Sequence, residues 1–406
     1  MKVYKVRIVK PLLCAVILAG CSQAGSSAAI PGVSRLERFG ISLRDQRPAA
    51  TDFKLLYKWK GGSNGGGPFA DLADLNGTLY GTTYAGWSPT YYGTVFKVTT
   101  SGHETVLYRF TGGKDGVRPF GGLTYLNDRF YGTTQQGGTR DCGIVFAITP
   151  SGMESSLYSF KCAKSDGSYP RADLVNVNRT LYGTTYMGGA DDLGTVFSIT
   201  TSGTEKVLHS FKGGQDGEKP FASLIEMNGV LYGTTSEGGG ASSAGTVFKI
   251  TPSGTETVLH RFAGGADGAG PQARLLAVKG TLYGTTRKGG ASDKGTVFTI
   301  APSGQEKVLH SFDGTNGAAP DAGLIFLHGA LYGTTAFGGP GNYGLVYKIT
   351  TAGALTVLYS FKGELHGFGP VAALTVVNGV LYGNTTWGGK KEDDYSCCGI
   401  VFEVSP

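Results

Sequence analysis

The chain has 406 residues, including 68 glycines and six cysteines, and a formal net charge of +6. Four of the 36 Lys and Arg residues lie within the first ten positions, and without that segment 32 basic residues face 30 acidic ones. A balance this even excludes the strongly basic surface of a nucleic-acid-binding protein. The glycines recur at fixed positions of a repeat, so the composition does not indicate a disordered chain.

The N-terminus has the features of a bacterial export signal. The four basic residues precede a short apolar stretch, Pro11 to Gly20, which is too brief to remain as a membrane-spanning helix. The segment Leu18-Ala19-Gly20-Cys21 resembles the bacterial lipobox, in which the cysteine is lipidated and becomes the first residue of the mature chain. This resemblance implies a lipoprotein signal peptide over residues 1–20 with Cys21 as the lipidation site. An ordinary cleaved signal with an incidental cysteine is the alternative.

Residues 21–52 are rich in Ser, Ala, Pro and Arg and are predicted to form a flexible tether. By resemblance to bacterial lipoproteins, Ser22 in place of an Asp after the cysteine favours the outer membrane or the cell surface. We therefore expect an exported protein, lipid-anchored to the cell envelope, that meets the membrane through this anchor only.

A tandem repeat fills the rest of the chain. The tripeptide Leu-Tyr-Gly, once Phe-Tyr-Gly, occurs seven times at spacings of 49 to 51 residues, with its tyrosine at Tyr80, Tyr131, Tyr182, Tyr232, Tyr283, Tyr332 and Tyr382. A period near fifty with short β-like segments and Gly-rich turns is typical of a β-propeller. We predict an all-β fold over residues 53–406, a seven-bladed propeller of four-stranded antiparallel blades.

Each repeat predicts four strands, which we letter A to D from the ring axis outward. In the fourth repeat they are Phe221 to Met227, Val230 to Thr235, Gly245 to Thr251 and Glu256 to Phe262. Tight turns are expected between A and B and between C and D, and longer loops elsewhere. A proline that does least harm to a sheet ladder precedes every strand A: Pro68, Pro119, Pro170, Pro220, Pro271, Pro320 and Pro370.

The last repeat ends after strand C, and the missing strand lies at the other end of the domain. The segment Phe53 to Trp59 matches the strand D pattern of Val258 to Phe262 and precedes the first strand A. We therefore predict that the N-terminal strand pairs with the C-terminal blade, which closes the ring and removes two exposed sheet edges. The glycine of each Leu-Tyr-Gly is predicted to admit an aromatic ring from the neighbouring blade.

The unit Gly-x-Leu-Tyr-Gly-Thr-Thr, followed by Gly-Gly and by Gly-Thr-Val-Phe-x-Ile-Thr-Pro-Ser-Gly, resembles the bacterial GloVer-type tandem repeat over about Phe53 to Pro406. The resemblance implies an exported propeller-like repeat protein and carries no particular activity with it. Kelch propellers share the period more loosely.

Neither metal nor cofactor is expected. His209, His260 and His310 occupy one repeat position on strand D of three successive blades, too far apart to share an ion, and a packing role is favoured. The Asp-Gly pairs of the D–A loops, such as Asp115-Gly116, fit turns better than calcium sites, because one carboxylate per loop is a poor site for a hard cation.

Cysteine positions predict one disulfide. Cys142 and Cys162 flank a C–D hairpin and should lie opposite each other at its open end. Cys397 and Cys398 are adjacent, and either a vicinal disulfide or a reactive free pair is compatible with the sequence.

The long B–C and D–A loops share one face of the propeller, where function is expected. The B–C loops of blades seven, one and two depart furthest from the repeat, and these blades are neighbours in a closed ring. The candidate binding sector therefore comprises Trp87, Tyr91, Tyr92, Arg140, Asp141, Trp387, Asp393, Asp394 and Tyr395. Free drift of surface loops is the alternative explanation.

The sequence favours a monomeric, non-enzymatic scaffold that presents this face to a glycan or an envelope protein, since no nucleophile–base set is apparent. One alternative is a carbohydrate-active hydrolase or lyase with paired carboxylates in the funnel, such as Asp141, Glu392, Asp393 or Asp394. A purely structural envelope protein is another.

Overall fold

The computed structural model describes residues 52–85, 91–389 and 398–406. Its strands form seven separate antiparallel sheets, one for each repeat, and these are the blades of a β-propeller. The predicted fold class is therefore confirmed. The signal segment, Cys21 and the tether lie outside the described residues, apart from Asp52.

Strand A is three residues long in every blade, whereas strands B, C and D have five or more. Strands A to D run as follows: blade one, Ala73–Leu75, Thr78–Thr83, Thr94–Thr99, Glu104–Arg109; blade two, Thr124–Leu126, Arg129–Thr134, Ile144–Ile148, Glu154–Ser159; blade three, Val175–Val177, Thr180–Gly188, Thr195–Thr200, Glu205–Ser210; blade four, Ile225–Met227, Val230–Thr235, Thr246–Ile250, Glu256–Arg261; blade five, Leu276–Val278, Thr281–Thr286, Thr296–Ile300, Glu306–Ser311; blade six, Ile325–Leu327, Ala330–Thr335, Leu345–Thr350, Leu355–Ser360; blade seven, Thr375–Val377, Val380–Thr385, Ile400–Val404, Phe53–Lys58.

The D–A and B–C loops of each blade pair with each other on one face. Isolated bridges such as Val117 to Gln136 make this contact in six blades, and in blade three it extends into a short strand, Gly167–Pro170, beside strand B. Short 3-10 turns occur in three D–A loops: Gly62–Asn64, Gly265–Asp267 and Glu364–His366. In the part of the chain that the structure describes, no helix has the length and hydrophobicity to cross a membrane.

The N-terminal strand closes the ring as predicted. Phe53–Lys58 pairs antiparallel with Ile400–Val404 and becomes strand D of blade seven. The residue that follows it, Trp59, is fully buried and donates its backbone N–H to the Gly399 carbonyl at 3.2 Å. The first strand of the domain therefore completes its last blade.

The glycine of strand B makes room for an aromatic ring, but the ring comes from strand C of the same blade. A Cβ at Gly233 would lie 2.6 Å from Phe248 Cζ, and Phe248 is the residue paired with Gly233 across the sheet. All seven blades repeat this contact, with Tyr347 in place of phenylalanine in blade six. The expectation of a ring from the neighbouring blade was therefore wrong: direct cross-strand pairing puts the blade's own ring over the glycine.

The aromatic ring of strand C also contacts an aromatic ring of the preceding blade. Phe248 meets Phe211, which follows strand D of blade three, edge to face at 5.3 Å between centroids. The same contact recurs at every interface, and Trp59 against Phe96 supplies it at 5.1 Å where the ring closes. Seven hydrophobic clusters, each shared by two adjacent blades, result.

The outer rim of several interfaces carries a cluster of polar groups. We define a rim cluster as the ring near the end of strand D, the acid of the following D–A loop, and the Glu that begins strand D of the next blade. Between blades two and three, Tyr158 donates to Asp166 at 2.8 Å and Glu205 lies beside them. Asp166 also accepts the backbone N–H of Lys161, so it fixes its own loop.

Prediction: Gly233→Ala destabilises the propeller by about 1 to 3 kcal/mol, because the new methyl group overlaps the Phe248 ring. Adding Phe248→Leu should recover part of the loss, and thermal unfolding of the two single variants and the double variant measures this coupling. Gly113→Ala is the control, since its Cβ would meet its first neighbour only at 3.9 Å. Equal melting temperatures for the two alanine variants would contradict the packing argument.

Prediction: Glu154→Gln with Glu205→Gln stabilises the protein at pH 8 but has little effect at pH 4. Burial, and then the charge of the adjacent Asp, raises the pKa of each Glu from 4.5 to about 7. A raised carboxyl pKa gives stability that is complete below pH 4.5 and is lost as the pH rises through 7. Because half of each group faces solvent, we expect about 1 kcal/mol for the pair, measured as melting temperature against pH. The reverse pH dependence would contradict the assignment.

Candidate functional site

The segments between each boundary proline and strand A converge on the ring axis and line one pocket. Each segment reads Pro, a variable residue, Ala or Gly, a second variable residue, and Leu. This axial pocket is small, with a cavity volume of about 70 Å³. The first variable position lies nearer the long-loop face and is Phe69, Phe120, Arg171, Phe221, Gln272, Asp321 and Val371.

Aromatic rings form one continuous side of the mouth of the pocket. Phe69 stacks on Phe120 at 4.9 Å, and Phe120 meets Phe221 edge to face at 5.4 Å. Tyr84, from the end of strand B of blade one, is edge-on to Phe69 at 5.3 Å. Trp387 approaches Phe69 at 6.3 Å from the other side. Blades seven, one, two and four thus contribute to a single aromatic surface.

Arg171 of blade three stands within this aromatic side. Its guanidinium carbon lies 3.9 Å from the centre of the Tyr186 ring, and 5.4 and 6.0 Å from the Phe221 and Phe120 rings. The Gln135 amide oxygen accepts from its Nε and Nη2 at 3.1 and 2.9 Å. Burial lowers the pKa of Arg171 from its usual value. The site thus holds a partly desolvated cation by stacking and neutral hydrogen bonds.

The floor of the pocket is an ion pair that crosses the axis. Arg274 of blade five reaches Asp71 of blade one, with Nε 3.0 Å from Oδ2. The other oxygen of Asp71 accepts the backbone N–H of Ala373 at 2.6 Å, so this carboxylate also joins blade one to blade seven. This ion pair narrows the space at the axis and restricts a ligand to the side nearer the long-loop face.

A second carboxylate, Asp173, faces the same floor. It accepts the backbone N–H of Gly122, and its own N–H is donated to Ser223 Oγ at 2.9 Å. Burial, and then the charge of Asp71, raises its pKa to about 6. Two electrostatically interacting carboxylates therefore share this part of the pocket.

On the opposite wall, Asp321 forms an ion pair with Arg287, whose Nη1 lies 2.6 Å from its Oδ2. Burial raises the pKa of Asp321 to about 6, although Arg287 opposes the shift. Among the described residues, two of the three acids that line the pocket, Asp71 and Asp321, are thus paired with Arg274 and Arg287, whereas Asp173 and Arg171 form no ion pair.

The structure divides the predicted binding sector. Trp387 lies beside Phe69, next to the axial pocket, whereas Tyr92 packs its ring over Gly112 in a D–A loop and Tyr91 is exposed beside Gly62. Arg140 is exposed, and the Asp141 carboxylate accepts the N–H of Gly137 at 2.8 Å within its own loop. The remaining members lie outside the described residues: Trp87, Asp393, Asp394 and Tyr395.

Sequence reasoning missed most of the pocket: Asp71, Phe69, Phe120, Arg171, Asp173, Phe221, Arg274 and Asp321. Their common signal is the pair of positions after the boundary proline, which vary from blade to blade while the intervening Ala or Gly and the following Leu do not. The predicted sector lay in the long B–C loops instead, at the rim of the long-loop face.

The structure describes three of the cysteines that the sequence analysis considered. A disulfide joins Cys142 and Cys162, whose Cα atoms are 5.8 Å apart. Cys398 is buried and disulfide-bonded, and Cys397 lies outside the described residues.

The fold is similar to that of two solved lyase structures. A virginiamycin B lyase from Staphylococcus aureus is 12% identical with a TM-score of 0.60, and the match covers 88% of this chain and 99% of that one. A streptogramin B lyase is 11% identical with a TM-score of 0.56, covering 87% of this chain and 97% of the other. Identities this low show a shared fold alone.

A comparison with curated proteins found no match. The Gloeobacter/Verrucomicrobia repeat model matches residues 45–243 and 214–402, which is most of the chain. The protein therefore belongs to the Gloeobacter/Verrucomicrobia repeat family.

Proposed function

We propose that this protein is a binding protein of the cell envelope and that its axial pocket holds an acidic sugar residue of a glycan. The observation that carries the proposal is Arg171, a partly buried cation stacked on Tyr186 and flanked by Phe120 and Phe221. Aromatic faces stack on the apolar faces of sugar rings, and a guanidinium binds a carboxylate or sulfate through two parallel hydrogen bonds.

The shape of the pocket supports a small ligand group rather than a flat protein surface. The Arg274–Asp71 ion pair crosses the axis below the aromatic side, and the accessible cavity is small, about 70 Å³. Arg171 is the group there that favours an anion, because two of the three lining acids, Asp71 and Asp321, each face an arginine of their own.

Location belongs to the same proposal. The lipobox-like segment that ends at Cys21 supports export and lipid anchoring, and the Cys142–Cys162 disulfide suits an oxidising compartment outside the cytoplasm. A protein anchored there meets the polysaccharides of the envelope directly.

Prediction: Arg171→Gln weakens binding to acidic glycans at least tenfold, because the charge-assisted bond to the ligand is lost. An array of uronate-containing, sialylated and sulfated glycans beside their neutral counterparts measures it with the full-length chain. Arg179→Gln, at an exposed turn on the opposite face, is the matched control and should bind as the wild type does. Equal binding of acidic and neutral glycans, or no binding to any, would contradict the proposal.

A hydrolase or lyase is the second candidate, and the Asp71 and Asp173 pair favours it. Burial, and then the charge of Asp71, raises the pKa of Asp173 to about 6, which suits a general acid. The lyase activity named for the two similar propellers shows that this fold can hold such chemistry in those proteins.

Prediction: if the pocket cleaves its ligand, Asp173→Asn lowers product formation about a hundredfold or more while binding persists, since Asn still accepts the Gly122 N–H but cannot donate an acidic proton. Chromatography of oligosaccharides after incubation detects the products. Asp74→Asn, an exposed carboxylate that caps the Gly77 N–H, is the control. Unchanged cleavage by the Asp173 variant would remove this carboxylate from the reaction.

A further inference from the structure

Two rim clusters differ from the others in chemistry. Between blades three and four the cluster is His209, Asp216 and Glu256, and between blades four and five it is His260, Asp267 and Glu306. In each cluster one ring nitrogen and one oxygen from each carboxylate all lie within 4.8 Å of one another. The arrangement lies on the outer strands, far in the fold from the axial strands that line the pocket.

The rim clusters that contain a tyrosine show what a histidine changes at this position. Tyr108 and Tyr158 donate their hydroxyl protons to Asp115 and Asp166 at 3.0 and 2.8 Å, so those interfaces close with an ordinary hydrogen bond. A histidine at the same position offers a nitrogen lone pair in its neutral form, which a phenol does not. His209 Nε2 lies 3.1 Å from Asp216 Oδ2, and His260 Nε2 lies 3.2 Å from Asp267 Oδ2.

These separations fit a shared ion. Two ligands of a tetrahedral Zn²⁺ at about 2.0–2.1 Å lie about 3.3 Å from each other. Each imidazole is also held in place by the phenylalanine two residues later, edge to face at 4.9 Å for His209 and 4.8 Å for His260. The ring orientation that coordination requires is therefore already fixed by packing.

The glutamates supply the third ligand. Oε1 of Glu256 and of Glu306 is buried and makes no hydrogen bond. When the histidine is neutral, each cluster brings two carboxylates together without a cation from the described residues between them. Arg261, whose charge acts on Glu256, donates its Nε–H to the Gln215 carbonyl at 2.9 Å. A divalent cation would satisfy the unpaired oxygens and offset both charges.

The third histidine provides an internal comparison. His310 faces Asn316, whose Nδ2 lies 3.3 Å from its Nε2, and Leu355 stands where blades one to five have glutamate. Both carboxylates are therefore missing at this interface, although the histidine remains.

We propose that the two His-Asp-Glu rim clusters each bind a divalent transition-metal ion of the zinc class, with water completing the coordination. One nitrogen and two carboxylate oxygens suit such an ion better than Ca²⁺ or Mg²⁺, which prefer all-oxygen sites. Each ion joins strand D of one blade and the loop that follows it, through His and Asp, to strand D of the next blade, through Glu. The ions act as clamps between blades three, four and five.

The test is zinc titration by calorimetry of the full-length chain, without a histidine tag and after removal of metal by chelator. His209→Tyr and His260→Tyr are suitable variants, because each converts a cluster to the tyrosine type that other interfaces already contain. We expect wild type to bind two more zinc ions per chain than the double variant, and each single variant to bind one more. His310→Tyr should match wild type.

Thermal unfolding gives an independent readout. Zinc should raise the melting temperature of the wild-type chain and leave that of the double variant unchanged, since binding to the folded state alone stabilises it. Equal zinc stoichiometry in wild type and double variant would overturn the proposal. So would a loss of zinc binding caused by His310→Tyr, or a zinc-dependent rise in melting temperature that the double variant retains.

Discussion

The absence of a side chain at one position of strand B governs the packing of the whole ring. Each of these glycines allows the aromatic ring of strand C to lie flat against the sheet, and the ring then presents its face to a phenylalanine of the preceding blade. Seven such contacts, with Trp59 in one of them, set the spacing between blades and bury a cluster at every interface. The inner strands are only three residues long, yet they add side chains such as Val377 and Leu126 to these clusters.

This regular packing between blades determines which positions of the repeat are free to vary. Residues that fill an interface are the same in nearly all blades. The two variable positions between each boundary proline and the following Leu lie at the axial pocket instead, and they take no part in the aromatic contacts between strands C and D. Phe, Arg, Gln, Asp and Val all occur at the first of them. Symmetry is thus broken where a ligand could be recognised, and the scaffold around it stays regular.

The sequence predicted the architecture because its signals are local and repeated: a tripeptide, a proline and a turn that recur every fifty residues. Ring closure followed from the count of strands, since a strand D was missing at one end and present at the other. The site did not follow, because its contacts join distant residues. Asp71 and Arg274 meet across the axis, and nothing near either residue in the sequence indicates its partner. The glycine of strand B was assigned to the wrong blade because periodicity gives strand order but not the direct register between Gly233 and Phe248.

The rim clusters show the same principle at the outer edge of the ring. A histidine in place of a tyrosine keeps the packing against the next phenylalanine, with ring contacts of 5.3 Å for Tyr158 and 4.9 Å for His209. What changes is the polar end of the ring, which turns from a hydrogen-bond donor into a group that can also accept or coordinate. Because Asp and Glu already stand beside it for structural reasons, a single substitution in a repeat is enough to create a set of three metal-ligating groups. A repeat fold can therefore acquire new chemistry at an interface without altering the contacts that hold its blades together.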